Sequence, residues 1–271
     1  MPLRNKAACG LYEEGVSSPP RQPMSQSSLT QTLWIGCAIL QTLTLLRLRS
    51  QNLHREYPWF FAYTLFHVVR FTILFTIFHA APFTWYFVGY WSTELVAAVF
   101  TFGVLYEIYG AVFSRYEGLV ALGGVVFRWL AAILAIVAAL SAGAATGSSM
   151  DRVLAGILSL DQAVTVVQVG LLLFLFSFAG YFRLSWCHYA LGIAIGFTLF
   201  GSVDIVVTAM RLHAGTVASA TYRLVHSAAY NCSVAVWLTY LLTSPRPVPR
   251  LDLPQHDLER WNRALTELLT A

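Results

Sequence analysis

Lysine is almost absent from this 271-residue chain: Lys6 is the only one, and charged residues of every kind reach just 11%, against roughly 25% in a soluble domain. Without a lysine in the last apolar run, a seven-helix protein carrying retinal as a Schiff base is excluded. Cysteine is equally sparse. Cys9, Cys37, Cys187 and Cys232 form no C-x-x-C pair, so neither a zinc ribbon nor a disulfide framework is indicated, and Cys37 and Cys232 fall inside apolar runs as small packing residues. No Gly-rich phosphate loop, Walker motif or soluble repeat occurs, and no H-E-x-x-H or H-x-x-x-H lies within an apolar run.

What the chain holds instead is apolar surface. Hydrophobic residues make up 57% and the mean hydropathy is +0.63. A bilayer-crossing helix needs about 20 apolar residues, and seven runs reach that length: Leu29 to Leu48, Pro58 to His79, Trp85 to Phe113, Gly118 to Ala142, Val153 to Phe182, Cys187 to Leu212 and Ala220 to Thr243. Lipid offers the backbone no hydrogen-bond partner, and a barrel would show alternating segments of about ten residues. The expected fold is therefore all-α, a polytopic seven-helix membrane bundle spanning residues 29–243. Val153 to Phe182 is longer than a straight crossing requires, which predicts tilt or projection. Residues 1–28 read as a disordered Pro- and Ser-rich tail without a cleaved signal's apolar core, and Met24 is an alternative start.

Cations sort by side. With the N-terminus outside, Arg47, Arg49, Arg55, Arg115, Arg183, Arg246, Arg250, Arg260 and Arg263 lie inside; Arg4, Lys6, Arg21, Arg152 and Arg211 lie outside. That bias predicts an N-out, C-in orientation in a plasma membrane of bacterial inner-membrane type. The net charge of +4 therefore speaks of topology, and no nucleic-acid partner is expected.

The intramembrane charges share one depth. At ~1.5 Å per residue, Arg70, Glu94, Asp161, Asp204, Arg223 and His226 fall roughly 6 to 13 Å below the outer face, contributed by five different helices. Ionisable groups in a span cost about 2.5–3.5 kcal/mol each on insertion scales, which makes such a layer a candidate ligand- or ion-binding site. Tyr230 continues the face of Arg223 and His226, and Asp161, Thr165 and Gln168 share another. Three carboxylates face two guanidinia, leaving one acid to hold a proton, a cation or a protonated His226. The competing reading is that these charges only pair and fix helix register. Chain neighbourhood predicts Arg70 with Glu94 and Arg223 with Asp204, leaving Asp161 and His226 as the functional pair. Glu107 and Arg128 are expected to form a structural pair near the inner face.

Aromatic groups at helix ends, including Pro58 to Tyr63 and Trp85 to Trp91, read as interfacial anchors, and Tyr90, Trp91 and Tyr230 as a lesser candidate pocket for a cation or amphiphile. After a Pro-rich exit, Leu258, Trp261, Leu265 and Leu268 recur on one face of a short helix that fits the inner membrane surface, a partner or self-association. No cofactor is expected: two isolated histidines are weak evidence for haem, and no metal set or catalytic residue has adequate spacing. The layout is only generically similar to seven-helix bacterial membrane modules, among them sensing segments that precede kinase domains. Three function classes follow: a non-enzymatic sensor or accessory bundle with an outward polar pocket for a small ligand or proton, a cation- or proton-coupled carrier or channel, and a membrane-embedded hydrolase.

Overall fold

The computed structural model describes residues 24–80, 83–114, 116–145, 149–181, 186–214 and 219–243. These form seven α-helices with no strand among them: α1 (Met24–Ser50), α2 (Pro58–Ala80), α3 (Phe83–Phe113), α4 (Glu117–Ala144), α5 (Ser149–Tyr181), α6 (His188–Ala214) and α7 (Ser219–Leu242). The C-terminal helix expected around Leu258 to Leu268, and most of the N-terminal tail, lie outside the described residues. Within that tail, α1 begins earlier than the apolar run at Leu29.

Among the described residues, five helices are long and apolar enough to cross a membrane: Pro58–Ile77, Gly89–Phe113, Gly118–Ala144, Ala155–Tyr181 and His188–Met210. The chain is a multi-pass membrane protein. α1 and α7 form helices as expected but are less apolar. Threonines and glutamine interrupt the first, and Arg223, His226 and Asn231 the second.

Packing makes a ring. α1 lies between α2 and α7, α2 meets α3, α3 meets α5, α5 meets α6, and α6 returns to α7, while α4 leans on the outside against α3 and α5. The middle of the ring is filled by side chains. Phe60 and Tyr63 from α2 meet Phe197 from α6 and Trp237 from α7, with ring centroids 4.9–6.4 Å apart. Phe60 and Tyr63 are buried core residues, which corrects their reading as interfacial anchors; Trp59, exposed beside them, does face outward. A residue one position along a helix turns by about 100°, so one cluster supplies both an anchor and a plug.

Small residues let the helices close on that plug. A Cβ on Gly192 would overlap the Tyr240 ring and one on Gly196 the Trp237 indole, whose Nε1 donates to the Ile193 carbonyl at 3.1 Å. Gly192 and Gly196 are four apart on one face of α6, the spacing that lets membrane helices approach closely.

Two devices set the α1–α2 corner. Asn52 takes a left-handed conformation (φ 57°), and the bonds Asn52 N–H to Arg49 C=O and Leu53 N–H to Leu48 C=O close a Schellman cap, with buried Leu53 in the same core cluster as Leu48. Pro58 then opens α2, where its missing N–H costs nothing. The next two amides, of Trp59 and Phe60, each donate to one carboxylate oxygen of Glu107 on α3, both at 2.9 Å. This corrects the expected Glu107–Arg128 pair. Two orphan amides and the positive end of the α2 dipole attract the carboxylate, and Arg128 on the outlying α4 stays exposed, without an ion pair among the described residues. Glu107→Ala is expected to cost about 1–2 kcal/mol by uncapping α2; an unchanged thermal midpoint would show that the amides find another acceptor.

Candidate functional site

At the end of the bundle that holds the α2–α3, α4–α5 and α6–α7 connections, the polar side chains of the layer converge. Arg70 Nη2 bonds Glu94 Oε1 at 2.6 Å, and its guanidinium lies 5.2 Å from the centre of the Tyr90 ring. Their side chains are 11% and 23% exposed, so the pair is largely dry and its charge-assisted bond is short. Trp91 joins Tyr90 edge-on, with ring centroids 5.3 Å apart.

A second pair joins α6 to α7. His226 Nε2 lies 3.1 Å from Asp204 Oδ1, with side chains 42% and 20% exposed. This corrects the expected Arg223–Asp204 pair: Arg223 is exposed, one turn nearer the start of α7, whereas His226 is the residue set against Asp204. Thr165, buried on α5, donates to the Asp161 carbonyl at 3.1 Å and reaches Asp204 Oδ2 at 3.5 Å. One turn on, buried Gln168 donates to the Phe197 carbonyl at 2.7 Å, tying α5 to α6 beside Gly201. The face Asp161, Thr165, Gln168 is thus split. Two members are locked into the helix interface, and Asp161 is exposed at its edge.

His226 thus contacts Asp204 directly, and Asp161 stands beside that contact. Asp161 lies within electrostatic range of Glu94, Asp204, His226 and Arg70, between the two pairs, and has no ion pair of its own among the described residues. Arg70 neutralises Glu94, and His226 is the residue in contact with Asp204, so Asp161 is the carboxylate of the layer that has no ion pair among the described residues. No group of three metal-ligating side chains comes together among the described residues.

Tyr230 faces inward from the layer. Its hydroxyl accepts from Gln41 Nε2 of α1 at 2.6 Å and lies 3.5 Å from the Tyr63 hydroxyl, while its ring meets His67 and Phe200. Gln41 escaped the sequence reading, which tracked charge and histidine. The available signal was a lone amide within an apolar run, flanked by leucine and threonine.

Set beside known protein families, characterised proteins and solved structures, the chain matches none.

Proposed function

We propose that the chain is a non-enzymatic sensor or accessory bundle of a plasma membrane, N-out and C-in, whose polar layer opens outward and binds a proton or a small cationic ligand. The carrying observation is Asp161: an exposed carboxylate with no ion pair among the described residues, within electrostatic range of both the Arg70–Glu94 pair and the His226–Asp204 contact. An ionised carboxylate in a membrane span is costly, and a bound cation or proton removes that cost. The inward excess of arginine supports the orientation.

A cation- or proton-coupled carrier is the second reading, and the same surplus acid favours it. Against transport stands the plug. Phe60, Tyr63, Phe197 and Trp237 are buried and pack ring to ring across the bundle.

Thermal unfolding across pH 5–8 with a panel of ions and small amines tests the reading in wild type, Asp161→Asn and His226→Ala. A ligand that binds only the folded form stabilises it by mass action, by about 2.7 kcal/mol at a hundredfold excess over Kd, and so raises the midpoint. One ligand, or acid itself, is expected to stabilise wild type but not Asp161→Asn. If no condition separates the two proteins, the layer is structural pairing only. Flux of the same ligand into proteoliposomes, lost in Asp161→Asn, would decide for the carrier.

A further inference from the structure

Arg128 is the intramembrane charge that the layer does not absorb. Among the described residues α4 packs against α3 and α5 alone, through a face that buries Gly123, Phe127 and Leu134. Arg128 lies on the outer side of the helix, exposed, with neither a hydrogen bond nor an ion pair among the described residues. Its place along the helix makes that exposure costly. In the span Gly118–Ala144 it stands nearly three turns in, about 15 Å from one end and about 24 Å from the other. Arginines near a helix end snorkel to the interface, but one this deep faces hydrocarbon, at a cost of about 2.5–3.5 kcal/mol on insertion scales.

The surface around it is built for close approach. Ala121, Ala132, Ala135 and Ala139 continue the stripe of Arg128 along α4, all exposed, and Val125 and Trp129 flank it, also exposed. Alanines let a second backbone come near, and in lipid, where apolar burial gives little drive, helices associate through such contacts and through polar pairs. A guanidinium there calls for a carboxylate, which it can hold with two parallel hydrogen bonds.

The chain's own acids are engaged elsewhere. Glu94 is bonded to Arg70, Glu107 to the first amides of α2, and Asp204 to His226. Asp161 belongs to the mouth of the ring, in range of Arg70, Glu94, Asp204 and His226. Two copies inserted the same way carry Arg128 at one depth, so α4 laid on α4 would set like charges together. We propose that the outer face of α4 is a docking site for a membrane-spanning helix of another protein, one that carries an aspartate or glutamate at the depth of Arg128. Each charge is costly alone in the bilayer, and pairing removes both costs at once. This gives an accessory bundle its partner surface without involving Asp161.

The test places the full chain in phosphatidylcholine vesicles with a synthetic leucine- and alanine-rich helix of about 22 residues bearing one glutamate at the matching depth, or leucine in its place. Energy transfer between the two measures association. The glutamate helix is expected to bind wild type about tenfold tighter than the leucine helix, the scale of one polar contact between membrane helices. That preference should vanish in Arg128→Leu, persist in Asp161→Asn, and reverse in Arg128→Glu toward a helix bearing arginine. Equal binding of the glutamate and leucine helices, or a preference that survives Arg128→Leu, overturns the proposal. So does a wild-type chain that shows no preference but is stabilised by phosphatidylglycerol through Arg128, which would assign the arginine to lipid phosphate. Self-association of the chain that is lost in Arg128→Leu would give the face to a second copy and overturn it equally.

Discussion

Replacing Arg70 by leucine is expected to destabilise the bundle by about 3–5 kcal/mol, because it leaves the Glu94 carboxylate in a largely dry site without the guanidinium that neutralises it. Glu94→Leu should cost a similar amount, and for Arg70 the loss is sharpened by its position over the Tyr90 ring, an inadequate substitute for a carboxylate. The double substitution separates pairing from function. Two apolar side chains need no counter-charge, so Arg70→Leu with Glu94→Leu is expected to recover most of the stability lost in either single protein. Thermal unfolding of the four proteins in one detergent measures this cycle. A double variant that melts as low as the worse single one would mean that the charges hold something other than each other.

Gly196→Ala is the second large effect, expected to cost up to about 3 kcal/mol although the change is one methyl group. Trp237 is fully buried, bonded through Nε1 to Ile193 and packed against Phe60, Tyr63 and Phe197, so its indole has no room to yield. The new Cβ must move the ring or separate α6 from α7, and either route disturbs the plug. Gly170→Ala on α5 is the matching control. A Cβ there meets nothing within 4 Å, and alanine gains about 0.5–1 kcal/mol of helical stability over glycine. Equal melting of the two variants would refute close packing at Gly196. A smaller loss from Gly196→Ala when Trp237 is already phenylalanine would locate the clash.

Most of the architecture is legible in sequence because lipid is an undemanding solvent to read. Long apolar runs must be helices there, and consecutive ones separated by short connections must pack as antiparallel neighbours. Arg70 with Glu94 follows from that neighbourhood alone, since both lie near the same connection on α2 and α3. Asp204 shows where the argument stops. Two candidate cations, Arg223 and His226, share one face of α7 three residues apart, and sequence spacing favours neither; helix rotation and relative height place His226 against the carboxylate and leave Arg223 exposed.

Glu107 marks a deeper limit. Charge counting assigns a buried acid to a nearby base, and Arg128 stood at a suitable depth. Its partners instead carry no formal charge: they are the Trp59 and Phe60 amides, freed because the first turn of a helix has no acceptor within itself. Backbone donors do not show in a residue list. For the same reason the cluster of Gln41, Tyr63, His67 and Tyr230 could not be seen before the fold, since its members come from three helices and the donor to Tyr230 is the uncharged amide of Gln41.

The sequence by itself determined the lipid solvent and the helical class, because each depends on sums over many residues that no local packing can reverse. Tertiary structure alone decided which cation meets Asp204, which carboxylate of the layer has no ion pair among the described residues and which aromatic rings fill the interior. Those outcomes turn on helix rotation and on ångström-scale contacts at Gly196 and Glu107, and a shift of one residue along a helix, about 100° of turn, would reverse any of them.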